Sequence, residues 1–153
     1  MIGNILVVDD DIGVRDLVVR YLNTRGYQTS SALSGEETLT RLDQNGLFDL
    51  VITDFKMPGM NGLELARKSL MADPDRPVIL MTAFAELHDT RQSASVGIYD
   101  FILKPFELVD FGTTVRRAIN HRRLLMQNRA YQQSLDRFGT EMIDSNTIKV
   151  SAG

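Results

Sequence analysis

The chain has 153 residues, 43% hydrophobic and 24% charged, enough to bury one core and leave an appendage. A net charge of −3 argues against binding polyanions through bulk charge, and the absence of cysteine excludes disulfides, thiolate metal centres and cysteine nucleophiles. No apolar run approaches the ~18 residues of a membrane span, and no basic segment precedes the first short one. A soluble, cytoplasmic protein is expected.

The first element is "NILVVD" (4–9), a near-continuous apolar run of the kind a strand buried on both faces requires. It ends in Asp9, Asp10 and Asp11. Like charges that close repel by roughly 4 kcal/mol per pair at an effective dielectric near 20, so something must offset them or they must splay into water. Next, "VRDLVVRYLNTRG" sets Val14, Leu17, Val18, Tyr21 and Leu22 on one helical stripe, with Gly26 placed to end it. "YQTSSA" (27–32) reads as a second strand, and Ser34 with Glu37 forms a capping box for the helix that follows.

"DLVITD" (49–54) is a third strand ending in Asp54, followed by the loop "KMPGMNG", whose Pro58, Gly59 and Gly62 favour a turn. "GLELARKSLM" is helical. "PVILMT" (77–82) is a fourth strand ending in Thr82. "ELHDTRQSASVG" continues the alternation, and "YDFILK" (99–104) is a fifth strand ending in Lys104-Pro105. A last helix starts near Glu107. Strands alternating with helices predict an α/β sandwich with a parallel sheet and right-handed crossovers. Ligand sites in such sheets lie at the carboxyl ends of the strands.

If the strand ends share one rim, they assemble several carboxylates, a hydroxyl and an ammonium. Clustered carboxylates suit a hard divalent cation, and Mg²⁺ takes oxygen ligands plus several waters. Taken singly, each residue has a plainer reading. Asp11 directly precedes a helix and fits an N-cap. Lys104 alone would be a solvated lysine, and Thr82 a hydrogen-bonded strand end.

"ILVVDDD", "DLVITDFKMPGMNGLEL", "VILMTAFAE" and "GIYDFILKPF" together resemble the signature blocks of bacterial two-component response-regulator receiver domains, in order and at the usual spacings, over about residues 3–120. The resemblance implies a flavodoxin-like doubly wound (βα)5 fold with a five-stranded parallel sheet of order 2-1-3-4-5. It implies Asp54 as phosphoacceptor from a sensor histidine kinase or phosphotransfer protein. Asp9, Asp10, Asp54 and the Lys56 backbone carbonyl would hold Mg²⁺. Lys104 would pair with the phosphoryl oxygens, Thr82 would donate to them, and Phe101 would be the switch aromatic. The Lys104-Pro105 bond would be cis. Phe84, two residues past Thr82, is a candidate shield for the phosphoryl group. Asn61 stands where Asp is frequent and Ile98 where Ala is frequent; neither touches this chemistry.

Three segments are expected: a receiver domain over 1–120, a helical extension over 121–143 and a flexible tail over 144–153. In the extension, Leu124, Asn128, Tyr131, Leu135, Phe138 and Met142 alternate at spacings of 4 and 3, a coiled-coil seam, with Gly139 weakening its end. A homodimer could form there or on the face of the fourth helix, fifth strand and fifth helix. Arg116, Arg117, Arg122, Arg123 and Arg129 suit a solvated helix face better than direct nucleic-acid binding.

Two other readings compete. A phosphorylation-independent interaction module of the same fold would not need the intact acid, threonine and lysine positions. A Mg²⁺-dependent aspartyl-phosphate phosphatase would want a second Asp two residues after the nucleophile, where Lys56 stands. The expected protein is therefore a signalling domain that catalyses only its own phosphoryl uptake and loss, and controls an output domain or partner.

Overall fold

A computed structural model describes residues 2–45, 47–86, 88 and 95–152, with side chains except at 45 and 141–152. The elements are β1 (Asn4–Val8), α1 (Ile12–Thr24), β2 (Gln28–Ala32), α2 (Gly35–Asn45), β3 (Leu50–Asp54), α3 (Gly62–Ala72), β4 (Val78–Ala83), a 3₁₀ turn (Phe84–Glu86), β5 (Asp100–Lys104) and α4 (Leu108–Ala152). The helix expected over residues 86–97 falls mostly outside the described residues.

The strands form one sheet of order β2-β1-β3-β4-β5, and every adjacent pair is parallel. The chain order reverses beside β1, so the crevice between the carboxyl ends of β1 and β3 is a topological switch point. The continuous apolar runs have their expected cause. On β1, Ile5 and Val7 face a core completed by Val18 and Leu22 of α1 and by Phe111, Val115 and Ala118 of α4. Leu6 and Val8 face the opposite core, with Leu42 of α2 and Leu65 and Ala66 of α3. A strand covered on both sides has no polar face to display.

Asp11 caps α1, accepting from the Gly13 and Val14 N–H groups, and Gly26 follows its end at φ +92°, where only glycine is unstrained. Ser34 Oγ accepts from Glu37 N–H at 3.1 Å, while Glu37 Oε2 accepts from Leu33 N–H at 2.9 Å, one residue further out than a capping box has it. Leu17 departs from the expected stripe. It is 50% exposed, because the face packed on the sheet runs through Val14, Val18 and Leu22 at intervals of four, leaving Leu17 past its edge.

The chain divides into two compact units, Met1–Arg122 and Arg123–Gly153. Where a flexible tail is expected from residue 144, the backbone instead stays helical to Ala152. No proline follows Pro105, so no residue removes a donor from the helical ladder.

Arg122 also departs from expectation. It does not lie on a solvated face: it is buried, its Nε donating to Asp49 Oδ1 at 3.4 Å and its Nη1 to Asp73 Oδ2 at 3.0 Å. Asp49 Oδ2 in turn accepts from the Asn4 N–H at 2.9 Å. One guanidinium therefore joins α4 to the entry of β3 and the end of α3. Arg122→Ala should cost about 1.5–3 kcal/mol of unfolding free energy, the range for hydrogen bonds to charged groups. Urea denaturation checks this, and a change below about 0.5 kcal/mol would contradict it.

Candidate functional site

The carboxyl ends of β1, β3, β4 and β5 meet at one rim. The three consecutive aspartates separate there. Asp9 is fully buried and accepts from the Asp11 N–H at 2.9 Å; Asp10 is exposed; Asp11 is committed to capping α1. Lys104 reaches across from β5 and its Nζ lies 3.2 Å from Asp9 Oδ2 and 3.0 Å from Asp54 Oδ1. One ammonium thus bridges two buried carboxylates that are 45 residues apart in the chain.

Carboxylate oxygens of Asp9, Asp10 and Asp54 lie within 4.8 Å of one another. Three carboxylates with one ammonium leave a local excess of negative charge, and all the donors are hard oxygens. That set fits Mg²⁺ and gives no purchase to softer ions. Lys56 is exposed in the loop that leaves β3. The loop is pinned from two sides: Met60 N–H donates to Glu36 Oε1 at 3.1 Å, and Gly62 N–H donates to the Phe55 carbonyl at 2.8 Å. Asn61 caps α3 by accepting from Glu64 N–H at 2.9 Å, so this departure from the common residue keeps the cap.

Thr82 is fully buried at the end of β4. Met81 pairs with Asp54, and its carbonyl accepts from Phe55 N–H at 2.8 Å, which fixes β4 against the end of β3. The Lys104-Pro105 bond is cis. Phe101 pairs with Leu80 and is 38% exposed. Phe84, a candidate shield, is 75% exposed; the 3₁₀ turn points it to solvent, so it covers nothing in this conformation.

Comparison with known proteins identifies the family. Residues 5–116 match the response regulator receiver domain family. The chain belongs to that family. It is 38% identical over 133 residues to the C4-dicarboxylate transport transcriptional regulatory protein DctD of Rhizobium meliloti, covering 87% of this chain and 29% of DctD. It is 35% identical over 113 residues to sporulation initiation phosphotransferase F of Bacillus subtilis, covering 74% of this chain and 90% of that protein. A receiver domain structure from Clostridium thermocellum superposes with a TM-score of 0.77 at 29% identity, covering 80% of this chain and 98% of that one. The chain therefore spans under a third of DctD and nearly all of the shorter relative. Among the described residues no helix is long and apolar enough to cross a membrane.

Two residues of the receiver site are not evident from sequence. Gly62 reads as a turn former, but it also lies against Asp54: a Cβ there would collide with the Asp54 carbonyl oxygen and come within 2.8 Å of Leu80 Cδ1. Glu86 bears on Thr82: Thr82 Oγ1 lies 3.2 Å from Glu86 Oε2, and the Ala83 N–H donates to the same oxygen at 3.1 Å. The spacing of four residues between Thr82 and Glu86 is the only signal in the sequence.

Burial raises the Asp9 carboxyl above the usual range, against the Asp11 N–H and Lys104, which lower it. Burial raises Asp54 as well, opposed by the Lys104 hydrogen bond and assisted by the charges of Asp9 and Glu86. Burial acts to lower Lys104, but the hydrogen bonds and charges of Asp54 and Asp9 outweigh it and hold the ammonium above the usual lysine range. A raised carboxyl binds its proton more tightly in the folded state. Asp9 and Asp54 therefore favour folding below pH 3.8, and that contribution is lost as pH climbs through their raised values. Lys104 favours folding below pH 10.5 and loses that effect above it. In metal-free buffer at neutral pH, Asp54→Asn should therefore be more stable than the parent by about 1 kcal/mol, a fraction of one close charge repulsion. The gap should close at about pH 3, where the parent carboxyl is protonated. Melting temperatures across that range check it; a variant less stable at neutral pH would show that the Lys104 pairing outweighs the burial cost.

Proposed function

We propose that Asp54 takes a phosphoryl group from a histidine of a sensor kinase or phosphotransfer protein, and that the receiver then changes conformation to control an output domain or partner. The observation that carries this is the Lys104 ammonium held between Asp9 and Asp54, with Asp10 beside them. An Asp54 carboxylate oxygen forms the new bond to phosphorus as the P–N bond of the donor breaks, and the imidazole nitrogen leaves with the electron pair. The transition state spreads charge over equatorial oxygens, so catalysis is mostly positioning and charge stabilisation. Lys104 is already within 3.0 Å of the acceptor and supplies one fixed positive charge. Asp9, Asp10, Asp54 and the Lys56 carbonyl would hold Mg²⁺, which would supply further neutralisation of phosphoryl charge.

The product carries close to two additional negative charges. Thr82, at the neighbouring strand end, donates its hydroxyl to the phosphoryl group, and Phe101 fills the space it leaves. That is a packing element with two arrangements, biased by a local charge event. Incubation with Mg²⁺ and acetyl phosphate should add about one phosphoryl group to the intact mass, and Asp54→Ala should abolish the gain. No gain with acetyl phosphate or any histidine donor would favour the phosphorylation-independent reading.

The extension supports a second contact, with another copy of this chain. Leu124, Tyr131, Leu135 and Phe138 are each at least 42% exposed on α4, at coiled-coil spacing, and Asn128 occupies a position where a polar residue sets register. Met142, the last residue of the seam, lies outside the described side chains. Sedimentation of the full chain should show a dimer at micromolar concentration, weakened about tenfold or more by Leu135→Asp, which sets a charge in the seam. A parent chain that stays monomeric at ~100 μM would overturn this contact.

A further inference from the structure

We propose that the Glu86 carboxylate is a built-in competitor for the phosphoryl group, occupying in the unmodified receiver the donors that the phosphoryl oxygens take. The inference rests on the reading of Asp54 as phosphoacceptor. Two donors at the end of β4, the Thr82 hydroxyl and the Ala83 N–H, converge on one oxygen, Glu86 Oε2, at 3.2 and 3.1 Å. Two donors aimed at a single anionic oxygen form an anion site, and here the chain supplies its own anion. A hydroxyl has one proton, and the Thr82 group already has a second acceptor in the Ala83 carbonyl at 3.3 Å. It cannot donate to Glu86 and to a phosphoryl oxygen at once.

Charge points the same way. Glu86 sits on Thr82 and Ala83 at the end of the strand next to Asp54, which pairs with Met81. Asp9, Asp54 and Glu86 thus share one electrostatic neighbourhood, in which Lys104 is the ammonium bound to the first two. A phosphoryl group of nearly two negative charges at Asp54 cannot gain Thr82 while the carboxylate keeps it. Glu86 must leave. Because the Glu86 side chain closes the 3₁₀ turn Phe84–Glu86 onto the end of β4, its departure frees the backbone that follows the strand. Phosphoryl uptake is thereby coupled to opening of that turn, and Glu86 sets its cost.

Glu86 acts as a positioning residue, and replacing it should tighten the phosphorylated state. Beryllofluoride with Mg²⁺ mimics the phosphoryl group, and ¹⁹F NMR titration reads its affinity. Glu86→Gln keeps an acceptor and removes the charge; Glu86→Ala removes both. Both should bind beryllofluoride about five- to tenfold more tightly than the parent, up to ~1.4 kcal/mol. In a Thr82→Ala background the gain should shrink, because the contested donor is gone. A metal-free reading is independent: in Glu86→Ala the Ala83 amide proton should move upfield without any phosphoryl mimic, because its N–H loses the carboxylate acceptor, and an unmoved resonance would count against the contact. Equal or weaker beryllofluoride binding in both Glu86 variants, with a parent that does take phosphate on Asp54, overturns the competitor and leaves the acceptor standing. A parent that takes no phosphate from acetyl phosphate or a histidine donor removes the acceptor reading itself, and the competitor with it.

Discussion

The site depends on one shared cation. Lys104 stands between Asp9 and Asp54 at hydrogen-bonding distance from both, with Asp10 close by. An ammonium can neutralise one carboxylate. Two buried carboxylates therefore remain under-compensated, and both are raised, chiefly by burial, despite the lysine. The fold tolerates the remainder because this rim is where the strand order reverses and the crevice opens to water. The surplus negative charge suits the rim to a divalent cation, and the fixed ammonium would suit it to the phosphoryl group of the proposed reaction.

The run of three aspartates shows how the backbone sorts identical residues. Asp9 is the first residue after β1 and inherits its burial; Asp11 stands just ahead of α1 and is drawn to its free N–H groups; Asp10, between them, is left to solvent. The repulsion expected of such a run is lessened by drawing Asp11 off to the helix N-terminus and Asp9 onto Lys104, while the Asp10 carboxylate stays within 4.8 Å of Asp9. Asp11 even supports Asp9 directly, through the N–H that donates to Oδ1. A capping residue and a charged-site residue can thus lie side by side in sequence without competing.

Much of this was legible in the sequence because two physical signals were strong. Strands covered on both faces must be apolar at every position, which made β1, β3 and β4 plain. Polar residues at their ends then had one rim to share. What was not legible came from geometry that periodicity does not carry. Leu17 falls on the helical stripe by spacing but beyond the width of the sheet contact. Arg122 looks like one of several basic residues on a helix, and only the fold places Asp49 and Asp73 within its reach. The helix beyond residue 144 lacks apolar periodicity, which composition reads as a tail although nothing in it breaks the backbone ladder.

Gly62 and Glu86 share a deeper reason for being hidden. Each matters because of a neighbour on another segment or across a turn: Gly62 because the loop after β3 folds back on the Asp54 carbonyl, Glu86 because the 3₁₀ turn brings it under Thr82. They border the ends of β3 and β4 in opposite senses. Gly62 removes a side chain so that backbone can approach Asp54, and its substitution would push the loop away from the acceptor. Glu86 adds an anion on Thr82, the one that the proposed exchange would displace. A site with one rigid wall and one displaceable carboxylate can change state without unpacking its core, since the buried strands on which Asp54 and Thr82 are mounted need not move.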